Sequence, residues 1–415
     1  MRKIKLKRNH YPCGLGNRTV ALVVFLALFG LNTVSAQGVS QTKTKLKVGQ
    51  AFKDGLAPVQ INGKYGFLNM KGEHVIACKY DFTSEFNNGF AIVRIGDKYG
   101  FILKSGVELT KIEYDYLEGF SGNRALFKKD GKFGYLGLSG EVKIPNVFEF
   151  ATTFEKDYAV FQEGFKSGYI NRTGEVVIKP VYDFALAFYE GLAPVMVNGK
   201  WGFINESGSK VIDFTYDAVT RFHEGYSLVQ QGKEMKVINK SNQIAIKKEF
   251  DQITAFNKGF AVFTSQGKYG IISEKGKVTA SGIDKMLPSY DGIYPFKRND
   301  FWGYLTAEGK EIITPVFADA DNFYEGLAAV KLGEKYGFID DRGDIIIPPI
   351  YDEARGFSEG LASVKMKDTH IFINKLGEPI LTIGIGENAN SNEIFVNNKG
   401  VMLNERNVLT ASSKN

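Results

Sequence analysis

Acidic residues recur at one position along the chain, and they are the side chains best suited to chemistry. The series is Asp81, Asp115, Glu149, Asp183, Asp217, Asp251 and Asp352. Two carboxylates held roughly 5–10 Å apart can hydrolyse a glycosidic bond. A carboxylate that returns in most units of a chain is instead typical of a turn, because Asp accepts hydrogen bonds from nearby backbone N–H groups. We therefore predict a structural role for these acids.

Thiols and imidazoles are too scattered to form a nucleophilic or metal site. Cys78 is the single cysteine after residue 36, and it occupies a position that proline fills in other units. His74, His223 and His370 fall at three different positions of the repeated unit. Structural zinc needs four such ligands, usually closely spaced. We predict no catalytic residue, no metal site, no cofactor and no internal disulfide.

Basic residues at another recurring position are the predicted binding residues. They are Arg94, Lys128, Lys297, Lys331 and Lys365. The remaining units carry Gln60, Gln162, Met196, Gln230 and Thr264 at this position. On the concave face of a repeat array, such side chains line a polar groove that binds a partner. A solvated strand face is the alternative interpretation.

The elements that must position these side chains are β-strands. Residues 188–217 read FYEGLAPVMVNGKWGFINESGSKVIDFTYD, with turn signals at Asn198-Gly199 and at Glu206-Ser207-Gly208. Asn-Gly between two extended runs predicts a two-residue hairpin. No apolar spacing of three and four residues continues for two helical turns, which argues against helix. The unit is therefore predicted to be a three-stranded antiparallel meander.

This unit occurs ten times, in steps of 34 residues with a single step of 33. The position of Trp201 is filled in order by Tyr65, Tyr99, Phe133, Ser167, Trp201, Met235, Tyr269, Trp302, Tyr336 and His370. The lost residue falls between Gly276 and Gly292. Because a lone meander cannot bury both of its faces, each unit must pack against its neighbours. We predict one all-β array over residues 52–384.

Two further positions are glycine in most units. One series begins with Gly55 and Gly89 and contains Asn123 and Asp157, and the other begins with Gly72 and Gly106 and contains Asn242. Where glycine is absent, Asn or Asp replaces it, and these residues best tolerate a positive φ. We therefore predict left-handed turns at both positions.

The first 36 residues are predicted to be a cleaved signal peptide. A basic region precedes the apolar run Val20 to Leu31, and Val34-Ser35-Ala36 supplies small residues before the cleavage point. The apolar run is too short for a comfortable membrane span. The segment holds six basic residues and no acid, so it accounts for the whole net charge of +6. The remainder is neutral and gives no basis for binding nucleic acid.

The repeats are flanked by two short segments. Residues 37–51 are predicted to be a tether or a cap. Residues 385–415 are predicted to form a half-repeat cap, with a turn at Asn397-Asn398, followed by a disordered tail.

Lys200-Trp201-Gly202 and Trp302-Gly303 resemble the signature of the bacterial WG-repeat family, also called KWG repeats. The resemblance extends from Phe52 to about Ile383, although only two of the ten aromatic positions are tryptophan. It implies a tandem β-repeat on secreted or envelope proteins. The family supplies no catalytic residues to transfer.

An open, superhelical β-solenoid is the predicted arrangement of the ten units. Propeller blades usually have four strands in about 40 or more residues, and rings usually have four to eight blades. A closed, propeller-like ring is the alternative, and it would need residues 45–50 to pair with the last unit.

The predicted function is non-enzymatic binding or scaffolding of a protein or glycan partner. The chain is expected in the periplasm, at the cell surface or outside the cell, with no stable membrane span after signal cleavage. The alternatives are an envelope glycan hydrolase with an acid pair on inter-repeat loops, and a purely structural spacer. Full burial of Tyr65, Trp201 and Trp302 would count against stacking of a carbohydrate on these rings.

Overall fold

Antiparallel β-sheet forms all the regular structure in the described part of the chain. The computed structural model describes residues 51–385 except Tyr290 and Asp368, and the backbone of Leu46–Val48, Ile394–Val396 and Val401–Leu403. The predicted signal peptide, most of segment 37–51 and the predicted tail lie outside the described residues. The strands belong to one unit, Thr44–Asn415. Within the described residues, no helix has the length and apolarity needed to cross a membrane.

Ten sheets follow one another along the chain, and we call them blades 1 to 10. Most blades have four strands, βA to βD, in sequential order. The βA strands are Leu46–Val48, Phe82–Thr83, Tyr116–Leu117, Phe150–Ala151, Phe184–Ala185, Ala218–Val219, Gln252–Ile253, Lys285–Met286, Asp319–Tyr324 and Glu353–Ala354. The βB strands are Leu56–Ile61, Phe90–Ile95, Ala125–Lys129, Tyr158–Glu163, Leu192–Val197, Tyr226–Gln231, Phe260–Ser265, Ile293–Arg298, Leu327–Leu332 and Ala362–Met366.

The two remaining strands of each blade carry the aromatic signature and the outer edge. The βC strands are Lys64–Asn69, Lys98–Leu103, Lys132–Leu136, Lys166–Asn171, Lys200–Asn205, Glu234–Asn239, Lys268–Ser273, Phe301–Thr306, Lys335–Ile339 and Thr369–Ile373. The βD strands are His74–Tyr80, Val142–Phe148, Val176–Tyr182, Lys210–Tyr216, Ile244–Ile246, Val278–Ile283, Glu311–Phe317, Ile345–Tyr351 and Pro379–Ile385. In blade 2, isolated bridges at Glu108 and Tyr114 replace βD. Ile394–Val396 and Val401–Leu403 extend blade 10 beyond its βD.

The predicted three-stranded meander is thus βB, βC and βD, and the short βA strand was missed. After βD the chain turns at an acidic residue and enters the next blade as βA. In most blades βA pairs through only two residues, for example Phe184 with Met196 and Ala185 with Val195. Two residues give no detectable periodicity, so the sequence pattern could not predict this strand.

In most blades a type I′ hairpin connects βA to βB. In blade 1, Lys53 and Leu56 exchange two backbone hydrogen bonds of 3.0 and 3.1 Å. Asp54 and Gly55 between them have φ of 51° and 77°, the geometry of a two-residue hairpin. The predicted left-handed positions are confirmed here and throughout both glycine series, except at Asp157, where only the preceding residue of the turn, Lys156, has a positive φ.

The glycine of Trp-Gly is needed for a close approach of two strands. A Cβ on Gly202 would lie 2.5 Å from the carbonyl oxygen of Ile212 in βD. Beside this glycine, βD bulges by two residues, because Trp201 pairs with Tyr216 but Phe203 pairs with Ile212. In blade 10, Ile371 replaces the glycine, and βD there pairs residue for residue between His370 and Phe372. The glycine therefore accommodates the bulge.

The predicted one-residue deletion lies in this bulge of blade 7. Tyr269 pairs with Ile283 and Ile271 pairs with Ala280, so the bulge holds one extra residue instead of two. The lost residue falls between Gly276 and Gly292, as the repeat spacing predicts.

The hydrophobic core is divided among the junctions between blades. An aromatic ring of βC packs on a phenylalanine of the next blade, as with Phe67 and Phe86 at 4.7 Å between centroids, and Phe203 and Phe222 at 4.8 Å. Both rings of each pair are buried. Burial at each junction, rather than in one common core, makes each blade depend on its neighbours.

The tenth blade packs on the first, so the array is a closed, propeller-like ring and not an open solenoid. Phe372 and Phe52 repeat the aromatic pair at 4.8 Å. They share a buried cluster with Leu68 and Ile383. The ring does not close through the pairing of residues 45–50 with the last unit that the ring alternative was expected to need, because Leu46–Val48 pairs with βB of blade 1. The ring alternative is confirmed by side-chain packing.

In five blades an acidic residue of the type I′ hairpin binds the hairpin of the next blade, and one of these contacts joins the last blade to the first. Gly89 N donates to Asp54 Oδ2 at 2.6 Å, and Gly259 N donates to Glu224 Oε2 at 2.7 Å. At the closing junction, Asp54 N and Gly55 N donate to Glu359 at 2.6 and 2.8 Å. The junction without chain continuity thus uses the same contact as four of the junctions that the chain itself connects.

Candidate functional site

The recurring acids are bound at the corners between βD and βA. Lys200 Nζ lies 2.5 Å from Asp217 Oδ1, and Gly232 N donates to Asp217 Oδ2 at 2.6 Å. These two bonds lower the pKa of the Asp217 carboxyl, that from Lys200 more strongly. The same pairing recurs with Lys64 and Asp81. A general acid needs a raised pKa, so these carboxylates are suited to fastening corners.

The five predicted binding residues are half-buried, and each contacts a neighbouring side chain. Arg94 lies 5.9 Å from the ring centroid of Tyr99, Lys128 5.1 Å from that of Phe133, and Lys331 5.5 Å from that of Tyr336. Lys297 and Lys365 instead lie 3.4 Å from Asp300 and 3.2 Å from Glu353. Their stems follow the sheet, as expected for long cationic side chains.

Ring closure places these five residues on the same side of the ring, in blades 8 to 10 and 2 to 3. Lys297, Lys331 and Lys365 belong to blades 8, 9 and 10, whereas Arg94 and Lys128 belong to blades 2 and 3. Blade 1, which carries Gln60 at this position, lies between the two groups. Blades 4 to 7 carry no charge there.

Each basic position is the middle of a row that crosses the blade. Phe82 of βA is directly opposite Arg94 of βB, which is opposite Tyr99 of βC. Directly opposed residues project from the same face of an antiparallel sheet. The next blade repeats the row as Tyr116, Lys128 and Phe133. A cation therefore lies between two aromatic side chains in blades 2 and 3.

The βA residues of four consecutive blades are exposed aromatic rings, which sequence reasoning missed. Their exposed fractions are 40% for Phe82, 38% for Tyr116, 40% for Phe150 and 44% for Phe184. Blades 6 and 7 have Ala218 and Gln252 at this position. The sequence does place an aromatic residue directly after the corner acid, as Phe82 follows Asp81. Phe86, four residues later, is also a phenylalanine but is buried, so the residue type alone does not distinguish the exposed ring.

These rings and the βC aromatics form a band that we call the aromatic arc. Phe133 lies 6.4 Å from Tyr116 in its own blade and 5.9 Å from Phe150 in the next. Phe184 lies 5.9 Å from Trp201. The arc comprises Phe82, Tyr99, Tyr116, Phe133, Phe150, Phe184 and Trp201. Ser167, which is buried, interrupts it in blade 4.

The three aromatic residues proposed as a test of stacking differ in burial. Trp302 is buried beneath Lys285, whose Nζ lies 5.5 Å from the ring centroid. Tyr65 and Trp201 are half-buried and keep part of their rings in solvent. Only Trp302 therefore counts against stacking of a carbohydrate.

A polar cavity of about 290 Å³ lies between blades 9 and 10. Asp319, Asp321, Glu353, Tyr336 and Arg355 line it. The hydroxyl of Tyr336 donates to Asp319 at 2.7 Å. Burial raises the pKa of the Asp321 carboxyl, and the Asn322 N–H and the Arg355 guanidinium only partly oppose this. Most of the polar lining is therefore already bonded or charge-balanced.

A second polar cluster joins blades 4, 5 and 6. The rings of Tyr189 and His223 are stacked, with centroids 5.6 Å apart and planes at 7°. Arg221 lies 5.4 Å from the Tyr189 centroid and 3.5 Å from Glu155. The cluster fastens three successive hairpins.

The remaining reactive groups are placed structurally. The thiol of Cys78 lies 3.6 Å from the carbonyl oxygen of Val59, and burial raises its pKa to about 12. A thiol with a raised pKa is a poor nucleophile. Among the described residues, no three His, Cys, Asp or Glu side chains are grouped so that they could hold a metal ion.

Solved structures resemble the chain only distantly. A eukaryotic initiation factor aligns over 81% of this chain and 95% of its own, at 11% identity and a TM-score of 0.44. PorZ, a bacterial surface component of the type-IX secretion system of Porphyromonas gingivalis, aligns over 85% and 65% at 8% identity and a TM-score of 0.28. The extracellular domain of the putative one component system BT4673 from B. thetaiotaomicron aligns over 90% and 67% at 8% identity and a TM-score of 0.25. No curated protein sequence matches the chain.

The WG containing repeat family matches nine segments: 49–65, 65–99, 99–133, 133–164, 168–201, 201–234, 237–269, 302–336 and 336–369. The matches run from one aromatic position to the next, and the gap between 269 and 302 coincides with the shortened step. They cover well over half of the sequence, in register with the blades. The chain therefore belongs to the WG-repeat family.

Proposed function

We propose that the chain is an exported, non-catalytic scaffold that binds a protein or a glycan on the aromatic arc. The observation that carries the proposal is the exposure of about two-fifths of each of four aromatic side chains, in consecutive blades. Contiguous exposed apolar surface on a soluble protein is typical of a binding site. Export is supported by the signal-peptide pattern of the first 36 residues.

Packing does not require aromatic residues at these positions. The junctions between blades are filled by the buried pairs such as Phe203 with Phe222. Blade 7 carries Gln252 at the βA position and still forms a four-stranded sheet. An aromatic side chain at this position exposes apolar area to solvent and does not fill the core. This is the pattern expected of a residue that binds a ligand.

A non-catalytic role is supported by the state of the carboxylates. The corner acids that the hydrolase alternative would use are bonded to lysine and to backbone N–H groups, as at Asp183, Asp217 and Asp352. Their pKa values are lowered, which suits anchoring and not proton donation.

The test is capture of ligands from a glycan array and from an envelope-protein extract. The chain from Gln37 to Asn415 is compared with a variant in which Phe82, Tyr116, Phe150 and Phe184 are changed to Gln, the residue that blade 7 carries at this position. We expect capture by the parent and its loss in the variant, with unchanged circular dichroism.

A second variant tests the predicted basic residues. It changes Arg94, Lys128, Lys297, Lys331 and Lys365 to Ala. Reduced capture would assign them to the same surface. Equal capture by the parent and both variants would move the site elsewhere on the ring, and no capture by the parent would favour a structural spacer.

A further inference from the structure

We propose that the ligand of the aromatic arc is an acidic polysaccharide, with sugar faces on the βA rings and carboxylates on Arg94 and Lys128. This inference rests on the proposed function and specifies its ligand class. The arc offers one exposed ring per blade over blades 2 to 5. A surface with one similar contact in each successive blade suits a polymer whose own units repeat, because each unit then meets an equivalent ring.

The chemistry of the rings favours a sugar face. Phe82, Phe150 and Phe184 present no hydrogen-bonding group, so they recognise a ligand through flat apolar area. The C–H face of a pyranose ring supplies such an area while its hydroxyl groups remain in water. Tyr116 differs only in its hydroxyl, which donates a hydrogen bond to Glu118 and is therefore already occupied.

The charge of the arc favours an anion. Among the described residues, neither Arg94 nor Lys128 has a carboxylate within ion-pair distance, whereas Lys297 and Lys365 of the same series are paired with Asp300 and Glu353. Each unpaired cation is held beside a ring, Tyr99 or Phe133. Asp81, which also interacts with Arg94, is itself paired with Lys64, so a net positive charge remains. Positioned positive charge without an ion-pair partner is complementary to a negatively charged ligand.

The same features argue against single-stranded nucleic acid, which also stacks on aromatic side chains. A nucleic acid carries one phosphate per nucleotide, and its binding sites track the backbone with many cations. The arc has two cations for four exposed rings, both in blades 2 and 3, and the positions of blades 4 and 5 hold Gln162 and Met196. The arc thus offers charge contacts in blades 2 and 3 and stacking alone in blades 4 and 5, which fits a sugar chain and not a phosphate at every unit.

The test compares acidic oligosaccharides with their neutral esters. Oligogalacturonate and hyaluronan oligomers, each beside its methyl-esterified form, are titrated into the purified protein by calorimetry. We expect the acids to bind and the esters to bind about tenfold more weakly, because each ester keeps the ring faces and loses the charge.

Two variants separate stacking from charge. Arg94→Gln with Lys128→Gln introduces the residue that blades 1, 4 and 6 carry at this position, so the fold has a precedent for it. We expect it to lose the preference for acid over ester. The four-residue Gln variant of the βA rings should lose both ligands. Lys275→Gln, which removes an exposed charge from blade 7 outside the arc, serves as the control.

Several outcomes would overturn the inference. These are equal affinity for acid and ester, an acid preference unchanged in the Arg94 and Lys128 variant, tighter binding of a single-stranded oligonucleotide, or no binding of either acid. If none of the sugars binds but an envelope protein is captured and then lost in the ring variant, the proposed function stands and the acidic polysaccharide is excluded.

Discussion

At the scale of single residues, the recurring glycines answer three different requirements. Gly55 and its equivalents supply the positive φ of a type I′ turn, and Gly72 and its equivalents that of the turn before βD. Gly202 has no positive φ but makes room for the βD bulge. The first two could be predicted because Asn and Asp replace glycine there. The third could not, since the bulge that explains it depends on the pairing register.

Gly309 and Gly191 separate backbone strain from steric overlap. Both have positive φ, +85° and +83°, but a Cβ on Gly309 would lie 1.9 Å from the carbonyl oxygen of Thr279, whereas nothing lies within 4 Å of one on Gly191. We expect Gly191→Ala to lower the free energy of unfolding by about 1–2 kcal/mol. Gly309→Ala should cost about 1–3 kcal/mol more. Urea denaturation measures both, and equal losses would contradict the overlap.

The two tryptophans of the signature differ in burial and should differ in energetic role. Trp302 is 5% exposed, whereas Trp201 is half-buried at the edge of the aromatic arc. We expect Trp302→Ala to lower the free energy of unfolding by about 3–5 kcal/mol and Trp201→Ala by roughly half as much. Urea denaturation of the two variants gives the comparison. A larger loss at Trp201 would show that its ring, too, is a core residue.

The exposed rings of the arc also show the limit of sequence reasoning at this scale. Phe82 and Phe86 are both phenylalanines that follow a corner acid. Phe82 is 40% exposed and Phe86 is 1% exposed. Phe82 lies in βA and projects from the same face of the sheet as Arg94, which it opposes. Because βA is only two residues long, no alternation in the sequence indicates this direction. Without that strand, the sequence indicates only the basic series as a candidate binding surface.

At the scale of the elements, the meander of βB, βC and βD follows from the turn signals and alternation, and the structure confirms it. The corner between βD and βA is the element that the sequence leaves open. There, a lysine of one hairpin, an acid of the corner and a backbone N–H of the next hairpin meet, as at Lys200, Asp217 and Gly232. The lysine and acid series are each visible in the sequence, but they lie 17 residues apart and neither indicates the other.

These corners should make stability depend on pH in acid. Hydrogen bonds from lysine and from backbone N–H groups lower the pKa of Asp81, Asp183, Asp217, Asp284 and Asp352 below the ordinary value of 3.8. A lowered folded pKa contributes stability above the unfolded pKa, and this contribution is lost as the pH falls through the folded value. We expect the urea concentration at the midpoint of unfolding to decrease as the pH is lowered from 5 to 3. This range lies within about one pH unit of the ordinary carboxyl pKa.

Removing two corner acids provides the control for this pH dependence. Asp183→Asn with Asp217→Asn should be less stable than the parent at pH 7. The difference should shrink at pH 3, because these carboxyls then take up protons in the parent's unfolded chain and part of their contribution to stability is lost. If the variant is less stable than the parent by the same amount at both pH values, the loss of stability comes from altered packing or hydrogen bonding and not from the missing charge.

At the scale of the whole ring, closure depends on contacts between residues about 300 positions apart. Glu359 binds Asp54 N and Gly55 N with separations of 305 and 304 residues. Glu359 occupies the same hairpin position as Asp54 and Glu224. No feature of the nearby sequence, however, shows whether the last repeat is a free end or packs on the first repeat. The open solenoid was therefore predicted from strand counts that lacked βA.

Glu359 and Glu224 make a matched pair for testing closure. Each accepts two backbone N–H bonds from the next blade, at 2.6 and 2.8 Å for Glu359 and at 2.6 and 2.7 Å for Glu224. We expect Glu359→Gln to speed amide hydrogen exchange in blades 1 and 10. Glu224→Gln should have a smaller effect, because the chain itself joins blades 6 and 7. An equal increase in amide hydrogen exchange in the two variants would mean that the closing junction is no less stable than a junction within the chain.

The closed ring has a consequence for how such a gene can change in length. Tandem units that derive from one repeat can be gained or lost by unequal recombination, one unit at a time. An open array absorbs such an event at its end, with every other junction unchanged. In the ring that Phe52 and Phe372 close, a gained or lost unit forces all the junctions to adopt a new angle together. Ring closure therefore opposes a change in the number of units, whereas a substitution in one blade's row leaves the junction angles unchanged.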